Sequence, residues 1–410
     1  MFPPRRLSAS LKFRLYRAGP LRGKARAMTD AAASPLRQPL ARRLLIRDFR
    51  SYADLDQCVG AHMVALTGEN GAGKTNVLEA LSMFSPGRGL RRAEIGHCAR
   101  HGGGGGFAVS IEVRTEEQSL QLGHGFDPAG EGRRFRVDRL PAGSARAFAE
   151  HLQVLWLTPA MDGLFNGPAG ERRRFVDRLT LAVDPEHGPR VAKFERALRG
   201  RNRLLEENAS DVRWLAAAEQ EIAALGVALA AARLETVRRL EALIQATRDA
   251  ASAFPFASLA LEGDLEKLLR GKSALEVEED YRAMLAEGRR RDAAAGRALV
   301  GPQTSDLAVR HGPKDQPAGE CSTGEQKALL VGMVLAHARL VASMRRNAPM
   351  VLLDEIAAHF DQRRREALFD ELAGLGGQIW MTGADPELFA SLRGRAEIFA
   401  VTPGKIAPLA

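Results

Sequence analysis

Gly68, Gly73, Lys74 and Thr75 fit the pattern G-x-x-x-x-G-K-[ST] over residues 68 to 75. An apolar run at 63 to 66 precedes them, and a helical pattern through Val77, Leu78, Ala80 and Leu81 follows, the context in which this pattern carries meaning. Glycines let backbone amides turn inward around phosphate oxygens, and the following helix adds the positive end of its dipole. The expected ligand is a nucleoside triphosphate, lined by Gly68, Glu69, Asn70, Gly71, Ala72, Gly73, Lys74, Thr75 and Asn76. Lys74 reaches the β and γ phosphates, and the Thr75 hydroxyl is placed for Mg²⁺.

A second apolar run, Pro349-Met350-Val351-Leu352-Leu353, ends in Asp354-Glu355. Taken alone these are two surface acids after a core strand. Downstream of a phosphate loop, Asp354 is carried to the water shell of Mg²⁺ and Glu355 is placed to polarise the attacking water. Ser322-Thr323-Gly324-Glu325-Gln326-Lys327 opens an apolar helix at 328 to 340. A hydroxyl, free amides and a positive dipole end make a further phosphate site there, although a plain Ser322 cap reads equally from the segment itself. One nucleotide does not need two such sites from one chain. The economical arrangement puts Ser322 of one subunit on the γ phosphate held by Lys74 of another, with ATP joining a symmetric dimer.

Positioning these residues requires strands that end at the loop and at the acids. Residues 44 to 52 read as a strand ending in a polar and aromatic turn, and 154 to 157 as a buried strand. Residues 107 to 113, 118 to 122 and 134 to 137 alternate apolar and polar side chains, as antiparallel strands do, after a five-glycine connection at 102 to 106. Between about 189 and 296 the composition turns helical. Ser210 is a plausible cap for a helix through Ala250, with Leu215, Ile222, Leu225, Leu229, Leu234, Val237, Leu240 and Ile244 as its apolar stripe. At 1.5 Å per residue such a helix reaches roughly 60 Å, enough for a short arm and too little for a coiled-coil rod. Arg172-Arg173-Arg174 reads either as a solvated helix face or as a contact surface.

The 410 residues, 45% hydrophobic and 27% charged, allow two or three domains with a large core. No run of 18 consecutive apolar residues occurs, which argues against a membrane span, and Cys58, Cys98 and Cys321 sit in no metal-ligand spacing. The net charge of +9 comes almost wholly from residues 1 to 29, which hold eight basic residues and no acid and leave 51 basic against 50 acidic beyond. Charge alone therefore makes no case for nucleic acid. The leader reads as a disordered or artefactual extension, with an organelle-targeting segment or a true start at Met28 as the alternatives.

Together the loop at 68 to 75, Ser322-x-Gly324-Glu325-Gln326, Leu352-Leu353-Asp354-Glu355 and Ala358-His359-Phe360-Asp361 resemble an ABC-type ATPase head. Within that class the chain resembles the SMC/RecF branch through Arg47-Asp48-Phe49-Arg50-Ser51-Tyr52, Lys74-Thr75-Asn76-Val77-Leu78-Glu79-Ala80, Arg172-Arg173-Arg174-Phe175-Val176-Asp177, Gly301-Pro302, Asp306-Leu307 and Thr382-Gly383, over roughly residues 42 to 405. The resemblance implies a cytoplasmic, ATP-dependent DNA-binding homodimer with slow hydrolysis. It also implies recognition of single-strand gaps joined to duplex and a partnership with RecO and RecR that loads RecA. By the same resemblance Ser322, Gly324, Gln326 and Asp361 contact the nucleotide, Asp361 at the dimer seam. The expected fold is an α/β P-loop ABC-type ATPase head with an antiparallel β subdomain and an inserted helical lobe. Its segments are a leader (1 to 41), head (42 to 184), helical lobe (185 to 296) and head again (297 to 410). Two departures stand out. Gln303-Thr304-Ser305 replaces the family's usual His-Arg-x before Asp306, and no histidine follows Trp380-Met381-Thr382-Gly383, leaving Thr382 as the nearest polar substitute for a γ-phosphate sensor. The rival readings are a transporter ATPase subunit and a non-hydrolysing nucleotide-binding scaffold.

Overall fold

A parallel sheet of continuously apolar strands forms the centre of the molecule. The computed structural model describes residues 36 to 115, 118 to 130, 132 to 207, 212 to 249, 252 to 356 and 360 to 409. The basic leader through residue 35, Ser210 and Ala250 as expected helix ends, and Ala358 and His359 lie outside the described residues.

The strands are β1 (Leu40–Phe49), β2 (Tyr52–Cys58), β3 (Met63–Thr67), β4 (Phe107–Arg114), β5 (Ser119–Asp127), β6 (Gly132–Val137), β7 (Leu140–Ala142), β8 (Val154–Leu157), β9 (Ala257–Glu262), β10 (Asp306–His311), β11 (Gln316–Pro317), β12 (Met350–Leu353), β13 (Ile379–Gly383), β14 (Glu397–Thr402) and β15 (Lys405–Pro408). The helices are α1 (Lys74–Ser82), α2 (Ala169–Val183), α3 (His187–Glu206), α4 (Val212–Ala246), α5 (Asp264–Leu269), α6 (Ala274–Ala295), α7 (Thr323–Arg345) and α8 (Gln362–Ala373).

The central sheet runs β15-β14-β3-β13-β12-β8, parallel except for the edge strand β15. Every residue of β3, β8, β12 and β13 is buried, as expected of strands covered on both faces. Alternate side chains divide between two cores. Val64, Leu66, Trp156, Leu352 and Trp380 pack toward α1 and the antiparallel sheet. Ala65, Leu157, Val351, Leu353 and Met381 pack toward α2, α7 and α8. The antiparallel sheet, β2-β1-β4-β5-β6-β7, buries one face only: in β4, Phe107, Val109, Ile111 and Val113 are buried and the residues between them are not. This follows the alternation in the sequence, with β7 added by a two-residue turn at Asp138 and Arg139, both at positive φ.

The helical lobe has its own core around Phe194, Ile222, Val227, Tyr281 and Leu285 from α3, α4 and α6. Of the expected stripe on α4, Leu215, Ile222, Leu229, Val237, Leu240 and Ile244 are buried and Leu225 and Leu234 half-buried. Arg201, fully buried, bonds to Glu219 at 3.0 Å and Asp292 at 2.7 Å, tying α3, α4 and α6 through one cation. α4 has 35 residues, about 52 Å of helix. Not all of the stretch read as helical is helix. Residues 257 to 262 form β9, which pairs antiparallel with β10 beside β11. Its short alternation of Ala257, Leu259 and Leu261 is masked by Ala and Leu, which also suit helices.

α4 and α7 each contain a window long and apolar enough, by length and composition, to cross a membrane. α7 is a core helix, with 72% of that window buried against the rest of the protein.

Arg172-Arg173-Arg174 joins elements together. Arg172 makes two bonds of 2.7 Å to Asp306, and Arg173 donates to Ser305 O at 2.8 Å, fastening α2 to the start of β10. Arg174 pairs with Glu171 on the exposed side.

Candidate nucleotide site

Three glycines shape the turn between β3 and α1. Gly68, Gly71 and Gly73 have φ of 146°, 83° and 112°, a region costly for side-chain-bearing residues. A Cβ on Gly68 would lie 2.3 Å from Val401 O, and one on Gly73 would lie 2.8 Å from Ser51 Oγ. Lys74 is 3% exposed, and its ammonium folds back over the loop to donate to Gly68 O at 2.6 Å and Glu69 O at 2.9 Å. An almost dehydrated cation held by two neutral carbonyls is poised to exchange them for an anion.

The turn after β1 braces this loop, a role that spacing gave no hint of. Tyr52 donates to Gly73 O at 3.2 Å, and Asn76 donates to Ser51 Oγ at 2.8 Å. Glu79, fully buried one turn into α1, takes a two-bond contact from Arg50 (2.6 and 2.8 Å) and a third bond from Arg91 at 2.9 Å. Arg91 also donates to Asn76 Oδ1 at 2.8 Å. The turn after β1 and the stretch at 88 to 92 thus meet on the phosphate-loop helix.

The acids arrive from the neighbouring strands. β13 separates β3 from β12, and all three end at the same edge of the sheet, the edge where open α/β sheets bind ligands. There Thr75 Oγ1 donates to Asp354 Oδ1 at 2.9 Å across 279 residues of sequence. Thr382, at the end of β13, donates to the same oxygen at 2.8 Å, and Glu355 N–H donates to the Thr382 hydroxyl at 2.9 Å. Hydroxyl and carboxylate oxygens are the hard donors Mg²⁺ takes, with the remaining positions left to water and phosphate, so Thr75 and Asp354 fit that ion.

Ser322, Gly324 and Asp361 occupy a different place. Ser322 is exposed and caps α7 in a reciprocal box with Glu325: its hydroxyl donates to Glu325 Oε2 at 2.9 Å and receives Glu325 N–H at 3.4 Å. Bonds from Lys314 and Ser322 hold the Glu325 carboxyl down to about 2. Asp361, also exposed, caps α8 by accepting Arg364 N–H at 2.8 Å. The Arg364 guanidinium lies 3.9 Å from where a Cβ on Gly324 would be, so the two helix starts adjoin. None of their side-chain bonds among the described residues reaches the loop at 68 to 75. Gln326 differs from expectation. It is 5% exposed, and its amide donates to Cys321 O at 2.8 Å and Gly319 O at 3.3 Å while accepting from Asn166, which occupies it within its own chain.

The departures at 303 to 305 are spent locally. Gln303 and Thr304 bond to the carbonyls of Val300 and Gly301, and Ser305 donates to buried Glu266 at 2.6 Å.

A family model described as the RecF/RecN/SMC N-terminal domain matches residues 40–406. The chain is 54% identical over 366 residues to the DNA replication and repair protein RecF of Rhizobium meliloti (strain 1021), covering 89% of this chain and 97% of that protein. Against the RecF of Mesorhizobium japonicum it is 52% identical over 368 residues, with the same coverage. Among solved structures, the recombination mediator protein RecF-ATP of the RecFOR pathway superposes with a TM-score of 0.79 at 17% identity, covering 93% of this chain and 100% of that one. An SMC head bound to the C-terminal winged-helix domain of ScpA superposes at 0.52 and 16% identity, covering 90% and 97%. At these identities the superpositions speak to the fold.

Proposed function

The chain belongs to the RecF family of DNA replication and repair proteins, and from that membership and the site geometry we propose that it is a weak ATPase whose ATP-bound homodimer binds DNA at single-strand gaps joined to duplex. It acts in the cytoplasm with RecO and RecR to promote RecA loading during recombinational repair and replication restart. The helical lobe at 185 to 296 is the arm offered to those partners.

One arrangement carries the reading. Thr75 and Asp354 meet at 2.9 Å beside Lys74 and Glu355 in the chain, while Ser322 and Asp361 are exposed, Gly324 is half-buried, and the side-chain bonds of Ser322 and Asp361 stay at their own helix starts. The first group makes one half of a nucleotide site and the second supplies the half missing from a neighbour's. In the dimer Lys74 leaves its two carbonyls to neutralise the β and γ phosphates. Thr75 and Asp354 would hold Mg²⁺, which would supply neutralisation of phosphate charge. Glu355 accepts a proton from the attacking water, and the Ser322 hydroxyl with the first amides of α7 meets the γ phosphate in trans. Glu69, Asn70, Ala72 and Asn76 line the bound phosphates, and Asp361 sits at the seam.

Sedimentation with ATP, with and without gapped duplex, tests this. Wild type should form dimers only with ATP, and Lys74→Met should stay monomeric with ATP affinity lowered roughly a hundredfold or more. A Lys74→Met protein that dimerises like wild type, or a wild type indifferent to ATP, overturns the reading.

A further inference from the structure

Thr382 ends a buried strand beside the acidic pair, and one hydroxyl serves both acids. It gives its proton to Asp354 Oδ1 at 2.8 Å and accepts the Glu355 N–H at 2.9 Å. Strand register delivers it there: β12 and β13 run parallel with Leu353 opposite Met381, so the next residue on each strand is Asp354 and Thr382. At 1% exposure, Thr382 has no water at hand to take over either bond.

The second bond matters because of the backbone it holds. Glu355 has a φ of 55°, in the left-handed region that a residue with a side chain enters only where its surroundings hold it. That conformation turns the chain sharply after Asp354, so the direction of the Glu355 side chain depends on an amide anchored to Thr382. The first bond fixes the other acid. Asp354 Oδ1 receives two hydroxyl protons, from Thr382 and Thr75, which orients the carboxylate and leaves Oδ2 outside that pair of bonds. A hydroxyl has one proton, and here it is already given to a carboxylate. Thr382 is therefore ill suited to donate to a γ phosphate, the role its place in the sequence suggested.

We infer that Thr382 is a positioning residue for hydrolysis, its hydroxyl locking Asp354 and Glu355 as one unit so that turnover depends on it while nucleotide affinity does not. This rests on the proposed roles of Asp354 and Glu355. Threonine is required where valine has the same shape and serine the same hydroxyl, which makes Thr382→Val and Thr382→Ser the natural pair to compare.

Steady-state ATPase rates and titrations with fluorescent ATP and ADP analogues, with Glu355→Gln as the reference, decide the matter. Thr382→Val should lower kcat roughly ten- to a hundredfold, the effect of losing bonds to a charged group and a strained amide. KM and both affinities should stay within about twofold of wild type, and Thr382→Ser should recover most of kcat, because the lost interaction matters only in the hydrolytic step. Three results overturn the inference: a Thr382→Val kcat near wild type, a loss of ATP affinity with ADP affinity kept, which marks a γ-phosphate contact, or a Thr382→Ser as slow as Thr382→Val, which marks a packing role. If Glu355→Gln is slow while Thr382→Val is not, only the inference fails. If Glu355→Gln turns over at the wild-type rate, the assignment of the acids fails and the inference with it.

Discussion

Mixing two inactive variants tests whether each nucleotide site is shared between subunits. Ser322→Arg removes the exposed cap of α7 and puts a long cation on the edge proposed to meet the partner's nucleotide. Its cost to folding should be about 1 kcal/mol, the usual value of a lost cap, because α7 is held by core contacts along most of its length. Lys74→Met removes the donor that Gly68 O and Glu69 O now share, which should cost about 1–3 kcal/mol where those carbonyls lack water. Both proteins should therefore fold, and each should be inactive alone. In a heterodimer one composite site carries both lesions and the other carries neither. Each heterodimer has one live site of two, and at mole fraction x of one variant random pairing would place a share 2x(1−x) of the dimers in that form, a share that rises as Lys74→Met fails to pair with itself. Turnover is thus zero at either extreme and peaks at intermediate mixing, between about a quarter of wild type for random pairing and about half where only heterodimers form. The assay is phosphate release at saturating ATP across mixing ratios, with thermal melts confirming that both variants are folded. A flat, inactive curve from two folded proteins refutes the shared site and leaves Ser322 a helix cap. A Ser322→Arg homodimer with wild-type turnover refutes it as directly.

Glu355→Gln should keep ATP-driven dimerisation and slow hydrolysis by about 10²- to 10⁴-fold, trapping the dimer on gapped DNA, as followed by single-turnover kinetics and gel shift. Arg233→Met breaks a contact that joins α4 to α2: Arg233 bonds Asp177 at 2.7 and 2.8 Å and Pro302 O at 2.6 Å. The loss should be about 3 kcal/mol by urea unfolding, below the upper end for buried pairs because His187 still bonds Asp177. Burial would raise the Asp177 carboxyl, but His187 and Arg233 together hold it below the usual carboxylate range. A depressed folded-state value means the stability from this pair is present above the unfolded-state value of about 4 and fades as pH falls through the folded one. Wild type and Arg233→Met should therefore differ most near neutral pH and converge in acid; a difference constant down to strongly acid pH counts against the assignment.

The sequence by itself determined the phosphate loop and the sheet strands around it. Gly68, Gly73, Lys74 and Thr75 are neighbours in the chain, and a phosphate loop is a local structure whose strand, turn and helix follow one another. The runs at 63 to 66, 154 to 157 and 350 to 353 are apolar throughout, a pattern that suits strands buried on both faces. The alternation at 107 to 113 likewise carried the one-sided antiparallel sheet. Tertiary structure decided what depends on pairing across distance. Arg172 to Arg174 read as easily as a solvated face, because spacing cannot show that Asp306 waits 134 residues later. Glu79 is one residue of the stretch 74 to 80 in the sequence, and its burial depends on Arg50 and Arg91 reaching it from outside the helix. β9 lay hidden in an Ala- and Leu-rich stretch, since six alternating residues become a strand only when β10 offers them a ladder. Gln326 carries the signature's residue type yet turns inward, because buried carbonyls at Gly319 and Cys321 need a donor. Thr382 is the sharpest case: a threonine at a strand end says nothing alone, and its two bonds to the acidic pair exist only because the register of two parallel strands sets it beside Asp354.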